Sequence, residues 1–214
     1  MTRPSPSPVH DRYAARIVDQ TAQLTSAVEG ADATAPVPGW TLAHLLRHVG
    51  GAHRWAETVV RTQATEPVSD EQVNDVTPDA DDDLAALAAW LTEGAALLAD
   101  TLRATGPDVP VWTVAPGGTP HFWARRMTYE TVVHRFDATA AVGGTFILDA
   151  DVALDGLDEW VEFSTLPQAY ESDSARHELL GPDRTLYIHA TDAPEATGEW
   201  LIDITDEPMI ASVG

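Results

Sequence analysis

The sequence predicts a mainly α protein, with a four-helix bundle over residues 1–144 followed by a small α/β region over residues 145–214. Three observations predict it. Four segments before residue 144 repeat their apolar residues at helical spacing. Turn- and cap-forming residues punctuate those segments. After Thr145 the pattern changes to one more amphipathic stretch and then to strand-like alternation.

The first helix is expected over about residues 9–28, with Tyr13, Ile17, Leu24 and Val28 near one face. The second opens after Pro38-Gly39-Trp40, with Thr41 as N-cap, and runs to about residue 62. Its apolar stripe is Leu42, Leu45, Leu46, Val49, Ala56 and Val60. The third follows the acidic run 79–83, which suits a helix N-terminus through the macrodipole, and carries Leu84, Leu87, Leu91, Leu98 and Leu102. The fourth spans about residues 121–142 and stops at Gly143-Gly144. Residues 64–78 form a polar, acidic crossing, and residues 106–120 a Pro- and Gly-rich loop whose Val109, Val111, Trp112 and Val114 allow it to pack in order. Together these suggest an antiparallel bundle. Beyond it, residues 152–163 read as a further helix, and residues 185–190 and 200–204 as strands around a turn-rich connector. A lone hairpin is marginal, so it must pack on a helix or on the bundle.

Composition narrows the chemistry. The chain has 214 residues, 44% hydrophobic, which suffices for an ordinary core. No uninterrupted apolar run reaches the roughly 18 residues of a membrane span, and the Pro- and Ser-rich start lacks a signal-peptide core. A cytoplasmic protein is therefore expected. A net charge of -22 makes nucleic acid and anionic membranes poor partners. All basic residues are Arg, which removes Schiff-base chemistry and a P-loop lysine. There is no Cys, so any metal must be held by His and carboxylates, and any thiol chemistry must arrive on a cofactor. G-x-S-x-G, G-x-G-x-x-G and Walker A patterns do not occur.

Helix four carries the strongest chemical signal. On a wheel, Trp123, Met127, Glu130, His134 and Ala141 fall on one stripe, with Asp137 beside it. A buried carboxylate is costly unless paired or metal-bound, and Glu130 and His134, at i and i+4, can converge on one ion. The alternatives are a structural Glu–His pair or a bridge from Glu130 to Arg126. On helix two, His48 flanks the apolar arc beside Gly50 and Gly51, which permit close helix packing or leave room for a ligand. A His44–His48 pair is a second metal clip, but His48 alone is preferred because its side is more apolar. His53, near the centre of the stripe, reads as a core histidine with a hydrogen-bonded partner. His10, His121, His177 and His189 read as solvated or structural. Trp55 and Trp123 are the candidates to line a cofactor pocket, against the alternative that they and Trp40 are core residues. Arg135 and Asp137 are candidates to orient the metal ligands, and Arg126 to meet an anionic substrate; surface pairing with the abundant acids is the alternative for the arginines.

These motifs resemble a known family. Pro38-Gly39-Trp40-Thr41, then Leu45-Leu46-Arg47-His48-Val49-Gly50, then Tyr129-Glu130-Thr131-Val132-Val133-His134-Arg135-Phe136-Asp137-Ala138 is similar to the mycothiol-dependent maleylpyruvate isomerase family of actinobacteria. The resemblance covers nearly the whole chain. It implies a DinB-like four-helix bundle followed by a smaller α/β domain. It implies that His48, Glu130 and His134 bind a divalent metal, with zinc the leading assignment. Family members continue beyond the second strand, so the resemblance also implies a C-terminal region here that is either abbreviated or truncated.

Three protein ligands leave zinc an open position, the pattern of a catalytic site. The resemblance implies mycothiol at that position, held as a thiolate that attacks an electrophilic small molecule. Addition followed by elimination gives an isomerase, and addition alone gives an S-transferase. A metal-dependent hydrolase is the alternative enzyme, although Glu130 as a ligand leaves it no evident general base. A non-catalytic, metal-stabilised binding module is the alternative outside catalysis.

Overall fold

A computed structural model describes residues 7–32, 34, 36–37, 40–69, 83–115, 117–164, 166, 180–193, 197–205 and 209–213. Pro38 and Gly39, most of the acidic run before helix three, and His177 lie outside the described residues. The chain falls into two compact units, residues 1–146 and 147–214.

The first unit holds α1 (Pro8–Ala27), a short antiparallel pair of β1 (Pro36–Val37) and β2 (Trp40–Thr41), α2 (Leu42–Thr62), α3 (Leu84–Thr105) and α4 (Pro120–Ala141). Local chemistry sets the helix ends. Thr41 caps α2 by accepting from the His44 backbone N–H, and Asp83 caps α3 by accepting from Ala85 and Ala86. Proline opens both α1 and α4, where its missing N–H costs nothing. Gly106 ends α3 at φ +80°, a conformation that resists side chains.

Leu24, Val28, Leu42, Leu45, Leu46, Val49, Leu87 and Leu91 form one buried cluster, so the leucine stripes face inward as their spacing predicts. Of the described helices, α3 is long and apolar enough to cross a membrane by length and composition. Its Leu87, Leu91, Leu98 and Leu102 are buried within the bundle.

The helix directions depart from a simple antiparallel bundle. Gly50 faces Trp90, Arg54 faces Gly94, and Thr101 reaches Glu57, so α2 and α3 run parallel. Thr128 bonds to Tyr13 and Arg135 to Gln23, so α1 and α4 also run parallel. His10 meets Leu102, and Trp55 meets Trp123, which makes α1–α3 and α2–α4 antiparallel. The order is therefore up, down, down, up. The long connection over residues 63–83 makes this feasible, since the chain must return the length of a helix before α3 begins.

The second unit holds α5 (Ala150–Ser164) and an antiparallel sheet of β3 (Thr185–His189), β4 (Glu199–Asp203) and β5 (Met209–Val213), in the order β3-β4-β5. The third strand was not expected from the sequence, and it removes the problem of an isolated hairpin. Val161, Trp200 and Ile202 form the core of this unit, and Trp200 Nε1 donates to Asp158 at 2.7 Å, tying β4 to α5.

Candidate metal centre

Two antiparallel helices bring the centre together. His48 projects from α2, and Glu130 and His134 project from successive turns of α4. One donor atom from each of the three lies within 4.8 Å of the other two. His48 Nε2 is 2.8 Å and His134 Nε2 is 3.1 Å from the same oxygen, Glu130 Oε1. The Arg126 guanidinium donates to the other oxygen, Oε2. Behind His134, Nδ1 donates to Asp137 Oδ2 at 3.1 Å. His134 and Glu130 are mostly buried, whereas His48 is 42% exposed, so the centre opens on the α2 side.

The electrostatics follow from this geometry. Burial opposes the charge of Glu130, but hydrogen bonds from His134 and His48 and the positive Arg126 outweigh it and hold the carboxyl far below its usual range. Burial likewise disfavours the His134 imidazolium, yet the hydrogen bond and charge of Glu130, followed by those of Asp137, raise its pKa. Carboxylate oxygens thus lie at both ring nitrogens of His134.

The donor set suits a divalent cation. His48, Glu130 and His134 would hold such an ion through two nitrogens and one oxygen, whose mutual spacing on a zinc-sized ion would be about 3.4 Å. The gaps of 2.8 and 3.1 Å require only a slight opening. Asp137 on Nδ1 leaves His134 Nε2 directed at the ion, the familiar carboxylate–histidine–metal arrangement.

Other expected site residues are placed differently. Glu130 and His134 lie at the edge of the buried face of α4, not at its middle, because Thr128, Thr131 and Thr139 are buried instead. Their hydroxyls donate to the carbonyls of Ala124, Met127 and Arg135 one turn back, which lets polar residues face the core. Arg135 does not reach the centre. It is buried toward α1, donates to Gln23, and lies 4.2 Å over the Phe146 ring. Arg126 holds Glu130, so the ion pair weighed as an alternative to metal binding coexists with the cluster. His44 stays outside, exposed and bonded to Thr41.

Trp55 and Trp123 pack edge to face at 5.0 Å and are joined by Trp112, whose carbonyl accepts from Trp123 Nε1. This aromatic cluster lies about two helical turns, roughly 10 Å, from Glu130 along α4. It packs near one end of the bundle, with Trp123 buried. Gly50 is filled from outside by Trp90, since a Cβ there would lie 2.1 Å from the ring, whereas Gly51 faces open space. Trp40, expected in the core, is 39% exposed and covers the centre.

Residues 14–139 match the family described as the mycothiol maleylpyruvate isomerase N-terminal domain. The chain belongs to this family. The match spans most of the bundle and contains His48, Glu130 and His134, while the second unit lies beyond it. No curated protein and no solved structure matches the chain. The family and the helical architecture agree, and the bundle is of the DinB-like kind.

Proposed function

We propose that this protein is a cytoplasmic, divalent-metal- and mycothiol-dependent enzyme of the maleylpyruvate isomerase type, acting as an isomerase or S-transferase on a small electrophile. The observation that carries the proposal is the convergence of His48, Glu130 and His134, from two helices far apart in sequence, onto donor atoms within 4.8 Å of one another. Membership of a family named for mycothiol supplies the cofactor class. The absence of cysteine means that the thiol must come from outside the chain.

His48, Glu130 and His134 would hold the ion. A divalent metal there lowers the proton affinity of a coordinated thiol, so that mycothiol can act as a nucleophile at neutral pH. The protein's part is orientation. Arg126 restrains Oε2 of Glu130 and leaves Oε1 facing the histidines. Asp137 fixes the ring and tautomer of His134. In this reading Arg126 and Asp137 are positioning groups, Arg135 supports the α1–α4 seam, and Trp55 and Trp123 with Trp112 wall the end of the bundle where a cofactor could extend.

The test is metal content by mass spectrometry, on wild-type protein and on His48→Ala, Glu130→Ala and His134→Ala, all purified without metal-binding tags. The expected result is about one equivalent in the wild type, lost in each variant. Screening with mycothiol and unsaturated dicarboxylates then separates isomerisation from conjugate formation. A folded wild type that cannot be loaded with zinc would remove the proposal.

A further inference from the structure

The two histidines are supported unequally. His134 is anchored behind by Asp137, but among the described residues His48 has a single hydrogen-bond partner, Glu130. A histidine that binds metal usually donates its second ring N–H to a carboxylate, carbonyl or water, and that bond fixes the ring. His48 is also the more exposed of the pair, so burial does little to hold its orientation.

Trp40 fills this gap. Its ring stands 4.6 Å from the His48 ring at 63°, an edge-to-face contact. The same indole stacks on the His134 ring at 5.6 Å and 24°. The two imidazoles are themselves nearly perpendicular, 4.9 Å apart at 83°. One indole thus braces both rings. The indole is held by its backbone in turn: β2 pairs Trp40 with Val37, and the next residue, Thr41, caps α2. The indole is 39% exposed, and its recorded ring contacts are with the two imidazoles.

We propose that Trp40 is a positioning residue of the metal centre, fixing the imidazoles of His48 and His134 by ring contact. This rests on the metal reading above, and the experiment separates the two. Zinc affinity is measured by competition with a chelating dye, and ligand geometry by the visible absorption of the cobalt(II) protein, for wild type, Trp40→Phe and Trp40→Ala. Loss of Trp40 should weaken zinc binding by about 10- to 100-fold, the usual effect of removing a group that orients a ligand. It should also alter the cobalt bands, and phenylalanine should restore much of both. A merely structural tryptophan would lower Tm without moving the cobalt spectrum.

If Trp40→Ala does not fold, Trp40→Leu, which keeps apolar bulk but removes the aromatic ring, takes its place. A wild type that binds zinc, with the alanine or leucine variant unchanged in zinc affinity and cobalt spectrum, overturns the role of Trp40 and leaves the metal centre intact. A wild type that binds neither ion overturns both.

Discussion

Replacing His53 by leucine should remove a specific part of the protein's acid sensitivity. His53 is fully buried on α2, and burial pushes its pKa from 6.5 down to about 4. Its one hydrogen bond, from Nε2 to Thr131 Oγ1 at 2.8 Å, suits the neutral ring, because the Thr131 hydroxyl proton is already given to the Met127 carbonyl. Nδ1 is then a buried lone pair without a hydrogen-bond partner among the described residues. The unfolded chain takes up a proton near pH 6.5, whereas the folded protein resists until about pH 4. Between those values the unfolded state binds more protons, so this contribution is complete above pH 6.5 and is lost as pH falls toward 4.

At pH 5 the loss is about 2 kcal/mol, from roughly 1.5 pH units at about 1.4 kcal/mol each. Urea unfolding of wild type and His53→Leu at pH 7.5 and pH 5, with chelator present, measures it. The carboxylates titrate in both proteins and cancel in the difference. The stability gap between the two proteins should therefore shift by about 2 kcal/mol in favour of the variant at pH 5. A gap that is the same at both pH values would show that His53 is not held neutral, and the argument would fail.

Three other outcomes are expected. Asp137→Asn keeps the shape of the side chain but loses the charge that supports His134, and should weaken zinc binding about 10- to 100-fold by equilibrium dialysis, with far-UV circular dichroism unchanged. Metal binding should release protons and weaken as pH falls through the raised pKa of His134, because the ion must displace a proton that Glu130 and Asp137 hold in place; calorimetry in buffers of different ionisation enthalpy counts those protons. Gly50→Ala would normally favour a helix by up to about 1 kcal/mol, but its Cβ would meet the Trp90 ring at 2.1 Å, so a net destabilisation of about 1–3 kcal/mol is expected in thermal unfolding, and a raised Tm would contradict the close approach.

The first four helices were legible because their signals are local. The leucine spacing of α2 and α3 survives directly as buried faces, Thr41 caps α2 as expected, and the acidic run expected before α3 supplies its N-cap, Asp83. Direction was not legible, because the polarity of a helix leaves no mark in its hydrophobic period. It depends on how the connection over residues 63–83 returns, and only pairs such as Gly50–Trp90 and Thr101–Glu57 reveal it. The β3-β4-β5 sheet was half legible. Residues 185–190 and 200–204 alternate, whereas Met209–Val213, with Ala211 and Ser212 at its centre, carries a weaker strand signal and is specified by pairing with β4.

The site was legible for a different reason. Charged and imidazole side chains on a face beside the core are costly unless they meet, so their presence on α2 and α4 pointed to each other before any fold was known. What the wheel misjudged was the face. Threonine reads as polar, but in α4 it returns its hydroxyl to the preceding turn and packs as a small apolar residue, so the buried face rotates toward Thr128, Thr131 and Arg135. That rotation moves Glu130 and His134 from the core to its rim. A rim position reconciles the two demands on the centre. Glu130 and His134 are buried enough for their charges to interact strongly, while His48, on the open side, leaves a path for a ligand. It also explains why the open side needs Trp40. Among the described residues His48 meets one carboxylate, Glu130, and the aromatic ring from the segment just before its own helix adds a second contact.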